Sequence, residues 1–505
     1  MRGSLSLGCV GLVGFVSMGL LACGDDGSAG IIRTQAPTEA IGPQGPSTIP
    51  NNTPTNTTAR VRFVNATSDV PALDVYATGS ATPLLYGLTY GATSAYLGLA
   101  PGAHTFEVRV AGSGYAAPPL YTTEIFSLGA NTQMTAITAG LVNTLDWNDR
   151  VRVLGFPENA PYASSSALAR FVNLGADAPT VSLDVGNDDP WHAEVQGIGR
   201  YAYTPDAAVA LPVNQPVALG MLANGSRWTQ FTAPALPIGS QLFLIAAGKM
   251  SQHPRAADGL SLLVVGPQGT LGFVRQDPAI YVLQAAQDAP QVDVFFQGYP
   301  LVNGLSYGQL SEVHQMPPSA GTTLDVLPGG YGASCGNTWN GNAGSGARVY
   351  TAPLVAGERY LVTMSGTWSG STTQPFQAIT VRDGFDLVND GRARVRVVNA
   401  AAGSGQVDVG NAQSFASTRW ASGVGFGGST WEGGIVFDVP QTAAIGIGSS
   451  SSSWAAANYN VNLWNAQNTF LVTSGNATQG ITRSTYAFAV NTSTFPWSTS
   501  TIYSR

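Results

Sequence analysis

The sequence predicts an all-β protein: four tandem immunoglobulin-like β-sandwich domains behind a signal peptide and a flexible tether. Three observations carry that prediction. Blocks of similar residues recur in one fixed order about every 110 residues. Segments within each recurrence alternate polar and apolar residues, the period of a strand with one face buried. No stretch shows the i, i+3, i+4, i+7 spacing of an amphipathic helix.

The first element is an address. Residues 5–22 form an apolar run behind the single positive charge of Arg2, and Cys23-Gly24-Asp25-Asp26 follows at once. Leu20-Leu21-Ala22-Cys23 resembles the lipobox of bacterial lipoproteins. That resemblance implies a signal peptide over 1–22 and a lipid on Cys23, with enough acyl chain for stable anchoring. The expected location is the bacterial cell envelope, at the outer membrane or the cell surface, with the membrane as a partner through Cys23. Residues 23–58 read as a linker. Gly42-Pro43-Gln44-Gly45-Pro46 and Asn51-Asn52-Thr53-Pro54-Thr55-Asn56-Thr57-Thr58 have no hydrophobic period. Such a segment buries too little apolar surface to offset the entropy of ordering it. As a flexible coil it would reach on the order of 30 Å.

The repeats follow. Arg62-Phe63-Val64-Asn65, Arg170-Phe171-Val172-Asn173 and Arg396-Val397-Val398-Asn399 mark three of them. Leu73-Asp74-Val75, Leu183-Asp184-Val185, Val292-Asp293-Val294 and Val407-Asp408-Val409 mark all four. Between these anchors stands a turn, Asp69-Val70-Pro71, Asp177-Ala178-Pro179 or Asp288-Ala289-Pro290, replaced in the last copy by Gly403-Ser404-Gly405. Downstream, Gly87-Leu88-Thr89-Tyr90-Gly91 is echoed by Gly304-Leu305-Ser306-Tyr307-Gly308 and Gly423-Val424-Gly425-Phe426-Gly427. The second copy keeps Gly197-Ile198-Gly199-Arg200. The predicted units are 59–166, 167–277, 278–390 and 391–505, read as four separate sandwiches in a row.

Within them, Arg60-Val61-Arg62-Phe63 alternates, placing Val61 and Phe63 on one face and both arginines on the other. Gln241–Ile245 and Arg359–Met364 alternate too but are more apolar throughout, as a strand buried on both sides would be. Ala100-Pro101-Gly102 and Pro328-Gly329-Gly330 punctuate the runs as turns.

The run Ala59–Ala66, Asp69–Tyr76, Gly87–Gly91, Tyr96-Leu97 and Pro101-Gly102 resembles the bacterial domain-of-unknown-function family 4397. That resemblance implies a secreted or lipid-anchored protein built of tandem β-rich repeats. It supplies no catalytic residue.

Composition narrows the function. Charged residues are 10 % of the chain and the net charge is −7, with 22 basic residues of which Lys249 is the one lysine. Nucleic-acid binding needs a basic surface, so it is excluded. Three cysteines build no disulfide framework. The histidines, His104, His192, His253 and His314, lack zinc-ligand spacing and read as surface residues. No nucleophile elbow or phosphate loop occurs. Cys335 has no histidine near it in sequence.

The recurrent aspartates, Asp74, Asp184, Asp293 and Asp408, read as hydrogen-bond acceptors for a nearby turn or arginine rather than as a catalytic set. Those of the Asp-x-Pro turns read as turn chemistry. Oxygen-rich stretches at Asp184–Asp189 and Asp383–Asp390 fit solvated turns better than a calcium loop. No metal and no cofactor is expected.

Tryptophan is the asymmetric feature: seven of ten lie beyond residue 330. Trp339, Trp368 and Trp454 stand among Gly, Ser, Asn and Thr, where a flat aromatic face beside hydrogen-bonding groups suits a sugar ring. They are the predicted ligand-binding residues. The expected function is a non-catalytic envelope lipoprotein, a structural or binding module contacting polysaccharide, matrix or a protein partner. The alternatives are a secreted hydrolase using a carboxylate pair and a passive surface spacer.

Overall fold

The computed structural model describes residues 58–158, 163–187, 192–204, 208–331, 336–341, 345–368, 374–387, 389–453, 455–475 and 486–503. Cys23, Cys335 and Trp454 lie outside them, as do the predicted signal peptide and nearly all of the tether.

Among the described residues the chain is all strand apart from turns and one short 3-10 helix, Trp147–Asp149. Each of the four copies folds as a sandwich of two sheets, and the copies share one strand order. In the first, Ala59–Asn65 lies between Leu97–Leu99 (antiparallel) and Gln133–Ala139 (parallel), with Arg152–Pro157 beyond. The facing sheet runs Pro83–Thr89, Ala72–Ala77, Phe106–Val110, Tyr121–Thr122. The parallel pair of an early and a late strand recurs as Ala167–Asn173 with Gln241–Ala247, Ala279–Gln284 with Arg359–Ser365, and Ala393–Asn399 with Asn468–Ser474. Copies two and four add a further edge strand to that sheet, Gly269–Arg275 and Ser498–Tyr503.

The expected row of four separate units is corrected by the packing. The chain divides into two compact units, Pro37–Asp277 and one holding Pro278–Arg505. Within each, two sandwiches press the outer faces of their parallel-pair sheets together. In the first unit Val64, Ile137, Phe156, Val172, Phe243, Ile245 and Val265 form a core distinct from either sandwich's own. In the second, Tyr281, Leu283, Leu361, Val398, Phe470 and Phe488 do the same. Each of these sheets is thus buried on both faces, which is why Gln241–Ile245 and Arg359–Met364 are more apolar than a half-buried strand. Leu242 and Leu244 face the sandwich core while Phe243 and Ile245 face the neighbouring sandwich.

The recurrent blocks serve this pairing. Arg62 was placed by alternation on an outer face, and that face is not solvent: Arg62 is 2 % exposed. Its Nη1 donates to the carbonyl of Gly266 at 2.7 Å in the neighbouring sandwich. Arg170 and Arg396 reach back the other way, donating to the carbonyls of Pro157 and Arg382 at the ends of the neighbours' strands. The third copy has Tyr281 instead, and its ring stacks on Trp497 at 4.4 Å. In the glycine block, Tyr90 packs on Phe273 and Tyr307 on Phe488, each across the pair. Gly91 and Gly308 follow at φ +78° and +81°, and a Cβ there would stand 2.5 and 2.8 Å from those same phenylalanine rings. Only glycine admits both the backbone angle and the contact.

One carboxylate at the end of the second sandwich is under strain from burial. Asp277 is 3 % exposed and accepts bonds from Gln230 Nε2 (3.0 Å) and Thr232 Oγ1 (2.9 Å). Burial pushes its carboxyl up from 3.8 to about 7, against the smaller opposing effect of those bonds. The folded chain therefore holds a proton that the unfolded chain releases above about pH 4. The stabilisation is complete below that value and is lost as pH rises towards 7. Asp277→Asn keeps the acceptor and removes the charge. In urea titrations the variant is expected to match wild type near pH 4 and exceed its midpoint at pH 8. Parallel curves across that range would contradict the assignment.

Candidate functional site

The recurrent carboxylates come first, because a catalytic pair would have to be drawn from such groups. All four mid-strand aspartates are buried. Asp74 accepts from the backbone N–H of Gly87 (2.7 Å) and Gly112 (2.9 Å). Asp293 accepts from Gly304 (2.6 Å), Gly330 (3.1 Å) and Tyr331 (2.9 Å), and Asp408 from Gly423 (2.9 Å). Gly87, Gly304 and Gly423 open the glycine block at φ +62°, +66° and +72°. At each, the adjoining strand slips register against the aspartate's strand, and the carboxylate holds the freed N–H. Copy two departs: Gly197 donates to Ser182 Oγ, and Asp184 pairs with Arg227 at 2.9 Å. Asp408 adds an ion pair with Arg419.

The aspartates of the Asp-x-Pro turns reach further than their own turn. Asp69 accepts from the N–H groups of Val142 and Asn143, and Asp177 from those of Met250 and Ser251. Asp288 accepts from Trp368. Each ties its turn to the loop after the late parallel strand, more than seventy residues on. These carboxylates are spent on the fold. Among the described residues no three His, Cys, Asp or Glu side chains gather where a metal could bind. His314, read as a surface residue, is instead buried at 4 %, because it lies on a strand paired with Ala279–Gln284.

The same bond places Trp368. It occupies the position held by Val142 and Met250 in the other copies, and like them it packs on its own sandwich core. Its ring meets Phe376 edge-on at 4.9 Å. Trp339 is half-buried against Gly346, where a Cβ would stand 3.0 Å from its ring. The two do not join the groove described next, and Trp454 lies outside the described residues.

That groove, about 500 Å³, lies on the side of the fourth sandwich, between the edge strands of its two sheets. One wall is Ala457–Leu463. Ala457, Tyr459, Val461 and Leu463 point into the core, which turns Asn458, Asn460 and Asn462 outward. Asparagine is a poor strand former. Three of them along one face of an edge strand depart from local preference, and such departures collect at functional sites. The other wall is Ser498–Tyr503, with Ser500, Thr501 and Tyr503 exposed.

Two aromatic rings, Trp464 and Tyr503, line the groove, each 65 % exposed. Trp464 stands on a tight turn braced by Gln467, whose Oε1 accepts from the Trp464 N–H at 2.9 Å and whose Nε2 donates to Thr469 Oγ1. Asn491 completes the lining at the next turn. The side chain of Thr499 is on the face shared with its strand partner Val490, which packs into the core between the third and fourth sandwiches. Among the described residues no acidic side chain, lysine or arginine lines the groove. Nothing in the arrangement supplies a nucleophile with its base. It offers flat apolar faces set among amides and hydroxyls, the chemistry anticipated for tryptophan, at a different tryptophan.

Two stretches of the chain, residues 59–184 and 278–410, match the model of a domain of unknown function, DUF4397. Each match covers the first sandwich of a pair and ends within the second strand of the next, inside Val181–Val185 and Val407–Asn411. No curated protein is similar enough to count as a relative. The matched stretches make up half of the chain and hold the anchors, turns and glycine blocks that build the paired sandwiches, and the chain belongs to the DUF4397 family.

Proposed function

We propose that this protein is a non-catalytic, lipid-anchored component of the bacterial cell envelope whose fourth sandwich binds polysaccharide. The groove carries the reading: Trp464 and Tyr503 offer exposed rings beside Asn460, Asn462 and Asn491. Aromatic faces take the apolar side of a sugar while neighbouring amides bond its hydroxyls. The non-catalytic part is supported by the recurrent carboxylates, each committed to backbone N–H groups or arginine. The anchor rests on Leu20-Leu21-Ala22-Cys23.

Affinity electrophoresis through gels containing soluble polysaccharides tests the binding. Wild type is expected to be retarded by at least one polymer and Trp464→Ala/Tyr503→Ala by none. No retardation of the wild type would leave the passive-spacer reading. For the anchor, cells fed a labelled fatty acid are expected to label wild type and not Cys23→Ala. Equal labelling of both would remove Cys23 as the attachment point.

A further inference from the structure

We infer that the groove of the fourth sandwich selects an uncharged glycan and holds it without ionic contacts. The inference rests on the polysaccharide reading and names the class of polymer. Envelope polymers fall into neutral chains and chains bearing carboxylate, phosphate or sulfate. The second kind is recognised by cations, above all by the fixed fork of arginine.

Among the described residues no cation lines this groove. The described arginines of the sandwich are engaged elsewhere. Arg392 and Arg394 pair with Asp390, Arg396 donates to the Arg382 carbonyl, and Arg419 pairs with Asp408.

What the groove presents is neutral and two-sided. A carboxamide both donates and accepts, as a sugar hydroxyl does. Asn460 can therefore match a hydroxyl that offers a proton and a lone pair together, while Asn462 and Asn491, whose Oδ1 atoms already accept from Thr442 Oγ1 and the Ser493 N–H, present chiefly their Nδ2 donors. Trp464 and Tyr503 provide the ring faces, and stacking on them is insensitive to ionic strength.

The experiment runs the full-length protein through gels containing laminarin, a neutral β-glucan, galactomannan, a second neutral polymer, or alginate, a polycarboxylate. Each gel is run at 20 and 500 mM NaCl. Laminarin or galactomannan is expected to retard the protein equally at both salt concentrations, within about twofold, and alginate not at all. Trp464→Ala is expected to weaken retardation at least tenfold. A urea midpoint equal to wild type checks that the variant is folded.

Retardation by alginate that fades with salt would overturn the inference and leave the polysaccharide reading standing. Retardation by none of the polymers would overturn both. Neutral-polymer binding unchanged in Trp464→Ala would move the site away from this groove and overturn the inference.

Discussion

Phe156→Ala is expected to destabilise the unit Pro37–Asp277 by about 3–5 kcal/mol, the range for deleting a fully buried phenylalanine. Phe156 is on the last strand of the first sandwich and is completely buried. Its ring does not face that sandwich's own core. It packs edge-on against Phe243 at 5.8 Å and Tyr203 at 4.8 Å, both in the second sandwich. Were the two sandwiches separate beads, this ring would lie in water and its removal would cost within about 0.5 kcal/mol. The two pictures therefore differ several-fold. Chemical denaturation monitored by circular dichroism decides between them, and a midpoint equal to wild type would refute the shared core.

Asp293→Ala should lower stability on the order of 3 kcal/mol, because the carboxylate satisfies three backbone donors at once. Gly304, Gly330 and Tyr331 all donate to it, and the side chain is 1 % exposed. Alanine leaves those N–H groups to find water at a register slip where the strand ladder offers none. Asp293→Asn keeps the acceptor oxygen but turns one arm into a donor facing another N–H, so it should recover less than half of the loss. A metal or catalytic role would predict a different pattern, a folded and fully stable alanine variant with lost activity. Thermal unfolding of the two variants separates these outcomes.

The groove was legible only in its chemistry. Tryptophan amid amides and hydroxyls pointed to the C-terminal half, where Trp368 is half-buried against its own sandwich core and Trp464 is largely exposed. Their neighbours in sequence are equally polar. What separates them is the strand each adjoins. Asn458-Tyr459-Asn460-Val461-Asn462-Leu463 alternates perfectly, with asparagine on every outward position. That pattern, leading straight into Trp464, was the readable signal, since a strand with poor formers along one face keeps them for something other than folding. The opposite wall had no signal at all. Ser498–Tyr503 is polar and ordinary, and it becomes a wall because the added edge strand of one sheet ends beside the last strand of the other.

Strand content and the fourfold repeat follow from the sequence, because a strand's period of two and a recurring block are local patterns that no distant contact alters. Purposes assigned to those blocks needed the third dimension. Alternation placed Arg62 on the face opposite Val61 and Phe63, but it reports one buried face and cannot tell whether the other meets water or a second sheet. Leu242–Ile245, apolar on both faces, and Tyr360–Met364, apolar but for Thr363, already carried the clue to pairing. The partner surface was beyond reach, since Phe156, Phe243 and Phe273 meet from strands far apart in the chain. The aspartates were identifiable as acceptors, but their donors lie tens of residues away and are brought in by chain reversal. Local patterning set what each segment is; the packing of sheet on sheet set what each segment touches.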